Sequence, residues 1–257
     1  MPDFVKILVD LLSSNSLVTA FLVVGIISLF ANFVSAKITR GRIHASAIAI
    51  FVGLILAYIG GSITGGTKGF SDIGMFAGIA ILGGSSLRDY AIIATANGAK
   101  FSEIKKCGFV GIFSLFVGVI ASFVAGGVVA YIMGYRDAVS VATIAAGTVT
   151  FVVGPVTGTA IGATSEVITI SIAAGVIKSV AVMMLTPFFA KRIGLKTPQS
   201  AMIFGGLMGT TSGTSAGLAA TDPKLVPYGA MTATFYTGLG CLLCPSVLYA
   251  ITKLILG

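Results

Sequence analysis

The chain has 257 residues, a mean hydropathy of +1.06, only 9% charged residues and a net charge of +8. A soluble domain carries about 25% charged residues, so a water-soluble globule is excluded. The long apolar runs equally exclude a β-barrel, whose segments are short and alternating. The pI near 9.5 does not imply nucleic acid. The basic residues sit in short loops between apolar runs, where they set orientation in a bilayer.

Residues 3–14 place Asp3, Lys6, Asp10 and Ser13 on one helical face, with Phe4, Ile7, Leu8, Leu11 and Leu12 opposite. This is the pattern of an amphipathic helix lying in the membrane interface. No cleavable signal peptide is expected, because a true span follows directly. Spans are expected at 17–35, 43–60, 107–134, 167–189, 199–220 and 226–255, each near the 20 residues that cross hydrocarbon. Segments 71–99 and 138–164 are apolar but interrupted. In the first, Gly83-Gly84 can stop a helix, and Ser86-x-x-Asp89 has capping-box spacing for the next. It reads as one interrupted crossing.

Charge sets the topology. Lys37, Arg40 and Arg42 share one loop, Lys100, Lys105 and Lys106 a second, and Lys191, Arg192 and Lys196 a third. These nine of sixteen basic residues place all three loops in the cytoplasm. Span 107–134 then leaves the cytoplasm and span 167–189 returns to it. Segment 138–164 cannot cross once, so it should enter from outside and go back as a re-entrant hairpin. Gly154 is expected to end one half-helix and Pro155 to open the next. Irregular backbone at membrane depth survives only inside protein or beside an aqueous cavity, so this stretch is expected to line a site.

A glycine–hydroxyl pattern occurs three times: Gly61 to Gly69, Gly154 to Gly162 and Gly209 to Gly217. Each has glycine at every fourth position, with Ser or Thr before the middle glycine. Two readings stand. Small-xxx-small spacing lets membrane helices approach closely. Alternatively, threonine hydroxyls and unwound carbonyls coordinate a cation while half-helix N-termini hold an anion. A weaker echo, Ala36-Lys37…Ser46-Ala47 against Ala190-Lys191…Ser200-Ala201, suggests an internal repeat of 17–99 and 167–255.

Lys178 lies mid-span in "AAGVIKSVAVMM". An ionised lysine there costs about 2.5–3.5 kcal/mol on insertion scales, so it should face the protein interior or an aqueous cavity. It is either a structural pair or a substrate or gating residue. Arg88 follows the Gly83–Ser86 break and is either paired with Asp89 or a carboxylate fork. Glu166 suits the first turn of span 167–189 as a dipole partner, with cation binding as the alternative. His44, beside Arg42, reads as interfacial. Cys241-x-x-Cys244 lacks a second ligand pair and, with Cys107, reads as helix packing. No nucleophile, metal cluster or phosphate loop is seen, so an enzyme is not expected.

The stretches "AGTVTFVVGPVTGTAIGATSEVITISIAAGVIKSVAVMM" and "IFGGLMGTTSGTSAGLAATDPKLVPYGAMTATFYTGLG", with the basic loop "AKITRGRIHAS", resemble MadM. MadM is the larger subunit family of bacterial two-component malonate:sodium symporters. The likeness runs over the whole chain. It implies a multi-pass protein of the bacterial inner membrane that imports malonate with Na+ by alternating access. It also implies a small hydrophobic partner of the MadL type.

The sequence thus predicts an all-α polytopic integral membrane protein, a single transporter domain over 1–257 with about 7–8 membrane segments. They include interrupted helices and a re-entrant hairpin at 138–164. Substrate binding is assigned to Lys178, Arg88, Gly154, Thr157, Gly158, Thr159, Gly209, Thr210 and Gly213. Sodium is assigned to Thr148, Thr150, Thr211, Ser212, Thr214 and Glu166. No cofactor or transition metal is expected beyond Na+ as coupling ion, and no nucleic acid. The alternatives are a carrier for another small carboxylate and a non-transporting membrane scaffold subunit.

Overall fold

A computed structural model describes residues 2–40, 45–66, 69–82 and 101–257. The expected break at Gly83–Ser86, together with Arg88, Asp89, Arg42 and His44, lies outside the described residues. Among the described residues every regular element is helical. Four helices are long and apolar enough to cross a membrane: Ser16–Ile38, Gly108–Ile132, Ser165–Phe189 and Pro223–Leu256. They occupy the spans expected at 17–35, 107–134, 167–189 and 226–255. The chain divides into two compact units, 1–93 and 94–257.

In the first unit, α1 (Pro2–Ser14) precedes α2 (Ser16–Phe33), which runs on through a π turn at Val34–Ile38. Phe4, Ile7 and Leu11 of α1 are exposed. The Thr19 hydroxyl donates to the Leu12 carbonyl at 2.9 Å and fixes the corner between the two helices. Next come α3 (Ala45–Thr64), two 3-10 turns (Gly69–Asp72 and Gly74–Phe76) and α4 (Gly78–Leu82). Gly60 leaves room for the Phe70 backbone, and the Phe70 and Phe76 rings stack at 4.2 Å.

The second unit is built from helix–hairpin–helix steps. It begins with α5 (Phe101–Ile132), which is helical except at Gly108 (φ 54). The first hairpin follows as α6 (Ala138–Val149) and α7 (Val153–Ile161). Asp137 caps α6 by accepting from the Ser140 amide at 2.7 Å. The two arms fold back on each other: a Cβ on Gly158 would lie 2.8 Å from Thr143 Cγ2, and one on Gly154 would lie 2.9 Å from Gly147 Cα. The expected hairpin at 138–164 is therefore present. Its break is not at Gly154–Pro155 but at Thr150–Val152. Thr150 is extended (φ −152, ψ 157), and its hydroxyl accepts from the Val152 and Val153 amides. Pro155 sits in the first turn of α7, where its missing N–H leaves no helical bond unmade.

α8 (Ser165–Phe189) returns through the unit and is capped by Thr164, whose hydroxyl accepts from the Val167 amide. The span expected at 199–220 is instead a second hairpin: α9 (Pro198–Met208) and α10 (Thr211–Ala219). The cause is Gly209. Its φ of 78 and ψ of −52 make a γ-turn in which the Thr210 amide donates to the Met208 carbonyl at 3.0 Å. Both arms flank the start of α11 (Val226–Leu243): Ala201, Met202 and Phe204 of α9 share a core with Leu218 of α10 and Tyr228 of α11. Pro245 lacks an amide hydrogen, and a π turn at Cys244–Leu248 surrounds it before α12 (Tyr249–Leu256).

Glycines set the spacing. Gly175 of α8 lies against Gly147 O and Phe151 Cα, each 2.5 Å from the position of an added Cβ. A Cβ on Gly213 would lie 2.6 Å from Ser179 O, and one on Gly217 would lie 2.6 Å from Thr186 Oγ1. Close packing is therefore one real use of the glycine–hydroxyl motif. At Gly175 and Gly213 a side chain would push backbone apart, not merely crowd a flexible neighbour.

Candidate functional site

The middle of α8 holds both hairpin tips with two consecutive residues. Lys178 serves the first. Its Nζ donates to the carbonyl of Val149, the last residue of α6, at 3.1 Å. It also donates to Ser122 Oγ on α5 at 2.9 Å and Tyr236 Oη on α11 at 3.3 Å. Ser179 serves the second tip. Its hydroxyl pairs closely with that of Thr210 and lies 3.0 Å from Ser212 Oγ.

Tyr236 completes the centre. Its hydroxyl shares its proton between Gly118 O (3.1 Å) and Ser122 Oγ (2.9 Å). Its ring carries Lys178 Nζ 5.2 Å from the centroid and lies against Gly209. Only glycine fits there, because a Cβ on residue 209 would overlap the ring. Thr148 ties the first tip to α5, its hydroxyl meeting Ser122 O at 2.7 Å. Four helices, α5, α6, α8 and α11, thus converge on one ammonium ion. Among the described residues, its partners are three neutral oxygens and no carboxylate. An ionised group held only by neutral partners is costly away from water, and it is a ready counter-charge for an anion.

The two tips differ at their second arms. Thr150 caps the start of α7. Thr210, at the start of α10, makes no side-chain cap bond, because Ser179 engages its hydroxyl. The first-turn amides of α10 are left for another acceptor, which at a helix N-terminus is best an anion.

Of the residues singled out from the sequence, the structure gathers Lys178, Thr148, Thr150, Gly209, Thr210, Thr211 and Ser212 around the tips. Thr148 and Thr150 already have bonding partners in the backbone, however. Gly154, Gly158 and Gly213 act in packing. Thr159 and Glu166 are exposed. Glu166, in the first turn of α8, is twelve residues from Lys178, roughly 18 Å along the helix at 1.5 Å per residue. Thr157 and Thr214 are fully buried, and neither hydroxyl has a partner. That is unusual here, since Thr143, Thr186, Thr232 and Thr252 all bond the carbonyl four residues back. Ser122 and Tyr236 were not foreseen. Nothing local marks them, and their role rests on contacts 56 and 58 residues away in sequence.

An all-helical build with helices long and apolar enough to cross a membrane, and two broken elements held by consecutive residues of α8, is that of a multi-pass membrane protein. The comparison with known families is specific. The chain belongs to the family described as the malonate/sodium symporter MadM subunit, matched over residues 8–256. No curated protein and no solved structure matches it.

Proposed function

We propose that the chain imports malonate together with Na+ by alternating access, with the solute bound at the midplane between the two hairpin tips. In this reading Lys178 takes one carboxylate, and the uncapped first turn of α10, at Thr211, Ser212 and Gly213, takes the other. The ammonium supplies full charge, and the amides supply directed donors at the positive end of a helix. The basic ends of α5 and α8 (Lys105 on one side, Lys191, Arg192 and Lys196 on the other) orient both toward the cytoplasm. The first hairpin then enters from outside and the second from inside. Helix α5 with its hairpin and α8 with its hairpin become two copies of opposite sense, as in carriers that expose one site to each side in turn. A small hydrophobic partner of the MadL type completes the transporter in the bacterial inner membrane.

The observation that carries this reading is the position of Lys178, a cation without a carboxylate partner among the described residues, at the point where both tips meet. The test is uptake of labelled malonate into proteoliposomes holding the chain with its partner subunit. A sodium gradient should drive accumulation, and Lys178→Met should abolish it. Uptake that persists without sodium would refute the coupling. A monocarboxylate that outcompetes malonate would refute the two-ended site.

A further inference from the structure

We propose that the oxygen cage now filled by the Lys178 ammonium is also a sodium site, and that lysine and Na+ occupy it in turn. Building on the function proposed above, a substrate carboxylate draws the ammonium out, and Na+ enters among Ser122 Oγ, Val149 O and Tyr236 Oη. This site differs from the threonine set suggested by the sequence.

The cage already binds a monovalent cation. It offers two hydroxyl oxygens and one main-chain carbonyl, at 2.9, 3.3 and 3.1 Å from Nζ. All three are neutral, which suits a weakly held, exchangeable ion. The carbonyl is the last of α6, at the break, so it is not needed to continue the helix. Both hydroxyls already lie within a network that reaches Gly118 O and can turn their lone pairs inward without leaving their partners. Thr148 and Thr150 are poorer ligands because their hydroxyls are engaged by backbone groups.

Charge makes the exchange compulsory. A dianion, one ammonium and one sodium ion sum to zero. With the dianion and lysine alone, the centre carries one net negative charge and three oxygens lose their cation. With sodium alone, two cations compete for one cage. Both partial states place uncompensated charge or unpaired polar groups in a medium of low dielectric. The neutral state is favoured only when both solutes are present, which links their affinities reciprocally. A lysine serving merely as a strut would gain nothing from its charge, since an apolar residue of like volume ties helices at lower cost.

The test is binding of labelled sodium to the purified symporter with its partner subunit, with and without malonate. The unaltered protein should retain sodium at least ten-fold more tightly with malonate present. In Lys178→Met the cage stands free, so sodium binding should no longer depend on malonate, while malonate affinity falls at least ten-fold. Adding Ser122→Ala should then weaken that malonate-independent binding. Loss of all sodium binding in a monodisperse Lys178→Met protein would overturn the proposal. Ser122→Ala alone provides a second route if Lys178→Met does not fold. In uptake it should raise the KM for sodium several-fold, and leave the KM for malonate near its original value when sodium is saturating. Equal effects on both, or none, would refute a sodium ligand. If sodium-driven malonate uptake itself fails, the functional reading fails. If uptake stands but sodium binding to Lys178→Met still needs malonate, only the shared cage fails.

Discussion

Replacing Gly209 by alanine should be strongly damaging, and its cost can be worked from two terms. The first is backbone. At φ 78 and ψ −52 an L-residue costs roughly 1–3 kcal/mol. The second is steric, since the new Cβ overlaps the Tyr236 ring, and overpacking costs about 1–3 kcal/mol. Together they predict a loss of roughly 2–6 kcal/mol. Gly162 is the control. It has the same φ of 78, with ψ 33, and open space where a Cβ would stand. Gly162→Ala should therefore lose only the backbone part, roughly 1–2 kcal/mol. At about 2–4 °C per kcal/mol for chains of this size, Gly209→Ala should lower the unfolding temperature by roughly 4–24 °C and Gly162→Ala by roughly 2–8 °C. The readout is heat-induced loss of the monodisperse symporter. A double-mutant cycle with Tyr236→Ala should recover the steric part, about 1–3 kcal/mol of coupling. Equal losses in the two glycine variants, with no coupling to Tyr236, would refute the contact between the second tip and the tyrosine ring.

Three further outcomes are expected. Thr157→Val and Thr214→Val each replace an unpartnered buried hydroxyl by a methyl, so each should stabilise the sodium-free protein by about 1–3 kcal/mol, read by thermal unfolding; a loss of stability would mean the hydroxyl has a partner. Ser179→Ala frees Thr210 to cap α10, so stability should move by no more than about 1 kcal/mol while the KM for malonate rises about ten-fold; an unchanged KM would remove the α10 amides from the site. Asp137, outside the membrane-spanning helices, is pushed up by slight burial, but hydrogen bonds from Ser140 and Val139 prevail and hold its carboxyl below 3.8. A lowered folded pKa means its cap is fully present above pH 3.8 and is lost only as pH falls further, whereas Asp137→Ala should cost about 1 kcal/mol at neutral pH; in thermal unfolding followed against pH, a cap that weakens between pH 7 and 5 would contradict this.

Some of this was legible in the residues and some was not, for physical reasons. Lys178 stood out because a charge in mid-span has few tolerable surroundings. The first hairpin followed from counting basic loops, which forbade an odd crossing. Its break was misplaced because Pro155 tolerates the first turn of a helix and does not itself break one, while Thr150 does the capping. The second hairpin was read as a span because "GGLMGTTSG" has no proline and no charge at the turn; the φ of Gly209 reveals it. Tyr236 and Ser122 resemble ordinary span residues, and their importance arises from tertiary contacts that no local pattern carries.

The glycine faces of α8 and the hairpins have a mechanical consequence. Where Gly175 meets Gly147 and Phe151, and Gly213 meets Ser179, main chain rests on main chain, without interlocking knobs that must be lifted clear. Such a seam resists separation yet offers little to catch during a lengthwise shift. Because Lys178 and Ser179 ride on the same rod, a single stroke of that rod would tug both tips at once.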